Sequence, residues 1–169
     1  RKFGLGEKTG IELSKEEPGI VAGRSYKEKA FKNASQKRWY PAETLDAAIG
    51  QGFHSYTPLQ IVRYVSAIAN DGKLVTPYLV KKVVNHDGEI VLENNPKTPK
   101  DIDISKETLD TIKKGMKAVL EPGGTAWAPF INFPITAAGK TGTAEWNSRY
   151  DNHGWFASFA PYDDPEIAV

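Results

Sequence analysis

Lys140 stands between Gly139 and the run Thr141-Gly142-Thr143, a cation between glycines with two hydroxyls close behind it. In the stretch Ile135-Thr136-Ala137-Ala138-Gly139-Lys140-Thr141-Gly142-Thr143-Ala144, residue types and spacing could do chemistry. An ammonium and two hydroxyls suit an extended ligand that ends in a carboxylate. The apolar run around them reads as a strand, so Thr141 and Thr143 share one face while Lys140 and Gly142 take the other. Gly142 removes a side chain where something could lie close against the backbone.

Two other readings compete for these residues. A strand ending in a turn, with Lys140 in water, accounts equally well for the tripeptide Lys140-Thr141-Gly142 alone. Gly139-Lys140-Thr141 also looks like the end of a phosphate-cradling loop. That pattern needs a glycine five positions before Gly139, and Pro134 stands there instead.

The elements that must position this stretch lie in a chain of 169 residues, enough for one domain with a real core. Lys plus Arg number 22 against 21 Asp plus Glu, a net charge of +1 with no basic run, which argues against a nucleic-acid surface. No apolar stretch approaches a membrane span, and Arg1-Lys2-Phe3-Gly4 does not begin a signal peptide; an anchor or export signal is expected outside this stretch. Cysteine is absent, which excludes disulfides, thiolate catalysis and Cys-ligated metals. His54, His86 and His153 are far apart and lack metal-ligand spacing, so neither metal nor cofactor is expected. No carboxylate pair suggests an acid/base couple, and Glu145, the acid nearest the central motif, reads as solvated.

Residues 1–34 read as connecting structure punctuated by Gly4, Gly6, Gly10 and Pro18-Gly19, with Thr9 to Leu13 extended. Lys27 to Lys37 reads as a solvated segment, and Trp39-Tyr40-Pro41 as an aromatic anchor of a loop against the core. Thr44 to Gly52 reads as a buried segment that bends sharply at Gly50-Gln51-Gly52. Thr57 caps a helix with Pro58 in its first position and Gln60 completing a capping box. Leu59, Val62, Val65 and Ala69 form its apolar face, with Ile61 and Ile68 on the shoulders, and Asn70-Asp71-Gly72 ends it. Tyr78 to Val84 and Ile90 to Leu92 make a hairpin through Asn85-His86-Asp87-Gly88, followed by a loop over 94–101. Ser105 caps a second helix with Leu109, Ile112, Met116 and Val119 inward and Lys113, Lys114 and Lys117 facing water. After the central strand come a polar loop over 147–152, a strand from His153 to Ala160 antiparallel to it, and a further strand beginning at Ile167.

Several of these stretches together resemble one family. Gly139-Lys140-Thr141-Gly142-Thr143-Ala144 followed by His153-Gly154-Trp155-Phe156 is similar to the Lys-Thr-Gly strand and its neighbour in penicillin-binding transpeptidases. Trp39 to Thr44, Ile49-Gly50-Gln51-Gly52, Thr57-Pro58-Leu59-Gln60, Ala67 to Gly72 and Gly6 to Leu13 resemble the segments those enzymes carry before that strand. The likeness covers nearly the whole chain and is greatest to the class B, elongation-type (rod-system) enzymes.

The resemblance implies an α+β fold, with an antiparallel sheet flanked by helices, of the penicillin-binding and serine β-lactamase type. It implies acyl transfer by a serine activated by a neighbouring lysine, acting on the D-Ala-D-Ala bond of peptidoglycan stem peptides and trapped by β-lactams. Lys140 would supply positive potential for the substrate carboxylate and assist proton movement. Thr141 and Thr143 would bond that carboxylate, Gly142 would give clearance, and the Thr143 backbone N–H would be one oxyanion donor. Lys140 and the threonines would converge because a strand edge lets both approach one groove. Trp155 reads as core and Gln51 as a turn residue, so neither is placed in the site. The family's Ser-x-x-Lys and Ser-x-Asn motifs do not occur in this sequence, so it reads as the C-terminal part of one transpeptidase domain, incomplete at both ends and inactive alone. Other cell-wall elongation proteins are implied as partners, and the extracytoplasmic face of the bacterial plasma membrane as the location. A penicillin-recognising sensor or inactive homologue is the alternative.

Overall fold

A computed structural model describes residues 2–145 and 149–169; Trp146, Asn147 and Ser148, within or beside the expected polar loop, lie outside the described residues. In chain order the elements are α1 (Arg24–Ala30), α2 (Ala34–Lys37), α3 (Pro41–Ala48), α4 (Pro58–Ala69), β1 (Lys73–Leu74), β2 (Lys82–Val84), β3 (Ile90–Glu93), β4 (Lys100–Asp101), α5 (Lys106–Ala118), α6 (Trp127–Phe130), β5 (Ala138–Ala144), β6 (His153–Ala160) and β7 (Ile167–Ala168).

The fold is the α+β arrangement expected. β5, β6 and β7 form an antiparallel sheet in that order, with α4 against β6 and α5 against β5. Val65, Ile68 and Ala69 of α4 meet Met116 of α5, Ala138 of β5 and Phe159 of β6 in the main core. These apolar side chains leave water together, which is the main force holding helices to sheet.

The two core helices begin where their caps dictate. The Thr57 hydroxyl accepts from Gln60 N at 3.2 Å, and Gln60 Oε1 accepts from Thr57 N at 3.0 Å. Gln60 is also 1% exposed, and its Nε2 donates to the carbonyls of Glu7 and Pro18 at 2.8 Å each. One side chain therefore starts α4 and pins the N-terminal segment onto it. Ser105 caps α5 by accepting from Thr108 N at 3.2 Å, and Leu109 and Met116 are buried as expected.

Lys113 does not face water. Its ammonium donates to the Ala69 carbonyl at 2.9 Å and to Asp71 at 2.7 Å, because the end of α4 leaves carbonyls without helical partners and a lysine stem can reach them. Lys117 keeps much of its side chain in water, pairing with Glu121 at 3.8 Å while its ammonium lies 4.8 Å from the centre of the Tyr162 ring.

The segment before α4 differs most from expectation. Thr44 to Gly52 is not buried: α3 has no buried residue, and Leu45 and Ile49 are 71% and 77% exposed. Lys27 is not solvated but 4% exposed, bonding to the Arg38 carbonyl at 2.7 Å and to Glu43 at 2.5 Å, close to the rings of Tyr40 and Phe53. Trp39 bonds to Thr44 inside α3, and Tyr40 packs near Lys27 and so ties α1 to α3; neither contact anchors a loop to the main core. A charged residue inside the 27–37 segment organises it, which composition conceals. Thr9 to Leu13 forms no strand. The hairpin β2–β3 is present but shorter than expected, and residues 94–101 contain β4, which pairs with β1.

Gln60→Ala strips partners from two carbonyls and from Thr57 N, and is expected to lower the unfolding free energy by about 2–4 kcal/mol in urea denaturation of the intact protein. The Lys113 hydrogen bond holds the Asp71 carboxyl below its ordinary value, against desolvation that opposes the shift, with the charges of Lys113, Lys106 and Lys73 adding to the lowering. A depressed carboxyl stabilises the fold above its unfolded pKa of about 3.9 and ceases to do so as pH falls through its lower folded value. Asp71→Asn should therefore lower the urea midpoint at pH 7, and that difference should shrink and disappear as pH falls through the depressed folded value of the carboxyl.

Candidate active site

β5 is an outer strand, and among the described residues no strand pairs with its other edge. Which groups it offers there follows from hydrogen-bond direction. In an antiparallel strand each residue points its N–H and C=O to the same side, alternating from residue to residue. Ser158 of β6 exchanges both bonds with Val169, at 2.9 Å each, so it bonds away from β5. Its partner across the pair is Gly139, and the register runs without a shift through Thr141↔Phe156 to Thr143↔Gly154. Gly139, Thr141 and Thr143 therefore turn their N–H and C=O to the open edge, while Lys140 and Gly142 bond to β6.

Side chains converge on that edge. Lys140 leaves β5 on the face opposite Thr141 and Thr143, as strand alternation requires, but its long stem curls across the backbone. Its ammonium donates to the Thr141 carbonyl at 2.5 Å. Cation and edge amides thus share one side of the strand, although the Cβ atoms do not. Lys140, Gly142 and Thr143 are exposed, and Thr141 is half-buried.

The two residues excluded from the site behave otherwise than expected. Trp155 is 38% exposed opposite Gly142, not core. Gln51 is not merely a turn residue: its Nε2 donates to the Thr143 carbonyl at 3.2 Å. The backbone is built to present it. Gln51 N bonds back to Asp46 O at 2.9 Å, and Gly50 and Gly52 on either side have φ of 80° and 75°. A Cβ on Gly50 would touch nothing within 4 Å, so the left-handed conformation is what requires glycine there. A polar residue between two such glycines was the available signal.

Thr125 is a further residue missed in the sequence. Its hydroxyl lies 2.9 Å from that of Thr141. Gly124 lets the chain fold tightly over the end of α5 to bring it there: a Cβ on Gly124 would lie 2.3 Å from the carbonyl oxygens of Ala118 and Val119. The edge therefore presents outward N–H groups, an ammonium and a paired set of hydroxyls. All are donors suited to a peptide carbonyl and a carboxylate. Among the described residues no cluster of His, Cys, Asp and Glu could hold a metal ion.

The penicillin binding protein transpeptidase domain family matches residues 1–169, the whole chain. The chain belongs to that family. It is 34% identical to the peptidoglycan D,D-transpeptidase MrdA of Escherichia coli K12 over 183 aligned residues, covering 99% of this chain and 28% of that protein. Among solved structures it is similar to the PBP2 of Helicobacter pylori in complex with MreC (36% identity, TM-score 0.81, 99% of this chain and 29% of that one). It is also similar to Pseudomonas aeruginosa PBP2 in complex with WCK 5153 (32% identity, TM-score 0.80, 99% and 34%). The chain thus spans under a third of the curated relative it matches and about that share of the structures.

Within this transpeptidase strand the two central glycines differ. A Cβ on Gly139 would come within 2.7 Å of the Phe156 ring and 3.2 Å of Ser158 Cβ, whereas one on Gly142 would meet only Trp155 Cβ at an ordinary 3.5 Å. Gly139→Ala should cost about 1–3 kcal/mol of stability. Gly142→Ala should stay within about 0.5 kcal/mol of the parent in the same denaturation series.

Proposed function

We propose that this stretch forms the Lys-Thr-Gly side of the active site of a peptidoglycan D,D-transpeptidase, and that the nucleophilic serine, with its Ser-x-x-Lys and Ser-x-Asn motifs, is supplied by chain outside residues 1–169. The observation that carries the reading is the outward N–H of Thr143 beside the Lys140 ammonium on an open strand edge, in a chain that belongs to the transpeptidase family.

The donor stem peptide adds to this edge as an extra strand, its carboxylate held by Lys140 and by the hydroxyls of Thr141 and Thr143. Gly142 leaves room beside it. The serine oxygen attacks the carbonyl of the penultimate D-Ala, and the negative charge that develops is met by the Thr143 N–H and the serine's own N–H. Collapse breaks the D-Ala-D-Ala bond and releases the terminal D-Ala, which takes the proton from the serine. An amine of a second strand then displaces the serine, forming the cross-link. β-Lactams present the same carbonyl and carboxylate but retain their leaving group in a ring, so the acyl-enzyme persists. The name of the E. coli relative supports the reaction, and the H. pylori complex with MreC supports cell-wall elongation proteins as partners. On this reading the protein works at the extracytoplasmic face of the bacterial plasma membrane, held there by an anchor outside this stretch.

Fluorescent-penicillin labelling tests both parts. In the intact protein, Lys140→Ala is expected to slow acylation by about a hundredfold, the common cost of about 3 kcal/mol for a lost contact at such a site. Unchanged kinetics would remove Lys140 from this role. Residues 1–169 alone should take no label that survives denaturation; a label would mean that the nucleophile lies within them. An intact protein that binds penicillin without acylation would instead be a sensor or an inactive homologue.

A further inference from the structure

The bond from Gln51 to the Thr143 carbonyl occupies a position that the proposed ligand needs, and this inference rests on the transpeptidase reading. A residue paired across an antiparallel ladder in the hydrogen-bonded register exchanges two bonds with its partner, N–H to C=O in each direction. Thr143 turns both groups to the open edge. If its N–H receives the carbonyl that is attacked, its own C=O must receive the amide N–H of that same ligand residue. In the free protein the atom lying against that C=O is Gln51 Nε2, at 3.2 Å, a distance at which a paired strand's amide nitrogen would also sit.

We propose that Gln51 is a specificity-determining residue: its side-chain amide stands in for the ligand's amide and must be displaced by any ligand that pairs with both groups of Thr143. The turn that presents it fits that task. Gly50 and Gly52 fix the loop, while the side chain itself is only half-buried and bonds at the long end of the hydrogen-bond range, so it can leave without disturbing the backbone. A ligand with an amide N–H at that position exchanges one neutral hydrogen bond for another. A ligand too short to reach the carbonyl leaves Gln51 in place.

The test compares acylation rate constants of the full-length protein for two probes. Benzylpenicillin carries an amide N–H on the carbon next to its reactive carbonyl; penicillanic acid has the same ring system and carboxylate without that amide. Gln51→Ala, and Gln51→Met, which keeps the length without the donor, should each speed acylation by benzylpenicillin about three- to tenfold, the worth of one neutral hydrogen bond. Acylation by penicillanic acid should stay within about twofold in both variants. Equal slowing of both probes would make Gln51 a residue that merely holds the strand, and no change in either would remove it from the site; each overturns the proposal. Failure of the unsubstituted protein to be acylated by either probe would sink the transpeptidase reading itself, a different result from a probe ratio that ignores Gln51.

Discussion

Everything chemical about this molecule depends on the one-sidedness of a β residue: its N–H and C=O go together, to one neighbour or the other. The exchange between Ser158 and Val169 commits β6 residues at that phase to β7, and the unshifted register then commits Gly139, Thr141 and Thr143 to the open side. The same register is enforced by packing. Ala138 and Phe159 face each other across β5 and β6 and are both almost fully buried in the core with Val65, Ile68 and Met116. A slip of β5 by one residue would turn Ala138 out of the core and at the same stroke turn the Thr143 N–H inward. Hydrophobic register and chemical register are one fact here, so the core specifies which amides meet a ligand.

That core is held by few, well-placed polar groups. Gln60 closes the start of α4 and ties down two carbonyls of the N-terminal segment, while Lys113 closes its end from α5. Both side chains are long enough to reach backbone carbonyls outside their own helices and replace water there, Gln60 at Glu7 and Pro18 and Lys113 at the end of α4. The α1–α3 segment uses a different device, a buried lysine surrounded by rings and neutralised by Glu43. This lets α3, the helix just before the Gln51 turn, stand on the molecule with Leu45 and the following Ile49 exposed.

What was legible in the sequence was local. The capping box Thr57–Gln60 and the Ser105–Thr108 cap each join residues three apart, so the residues that form them are close in the chain and their physics can be read without a fold. The central strand and its neighbour were legible because their motif is contiguous. Gln51 and Thr125 were not, because their meanings lie 92 and 16 residues away, at Thr143 and Thr141. Lys27 and Lys113 were misread for a related reason: a lysine stem is apolar and its head cationic, so the same residue suits water or a buried carbonyl, and only the partner decides. Leu45 and Ile49 were misread because apolar spacing identifies a face without saying whether anything covers it.

An open strand edge is ordinarily a liability, since its bare amides invite pairing with any other strand. On β5 two of the edge carbonyls are covered by donors from flexible side chains, Lys140 on Thr141 and Gln51 on Thr143. Such caps satisfy the acceptors and leave the outward N–H of Thr143 on the open edge without a strand partner among the described residues. A neighbouring strand would have to displace both caps to pair with the outward groups of Gly139, Thr141 and Thr143, a small return for two lost bonds. A ligand that brings its own carboxylate offers Lys140 a stronger partner than a neutral carbonyl, because an ion pair with both donor and acceptor charged replaces a bond in which only the donor is. The edge is therefore closed to strands in general and open to an extended chain that ends in a carboxylate, and the selectivity comes from what the lysine gains on leaving the backbone.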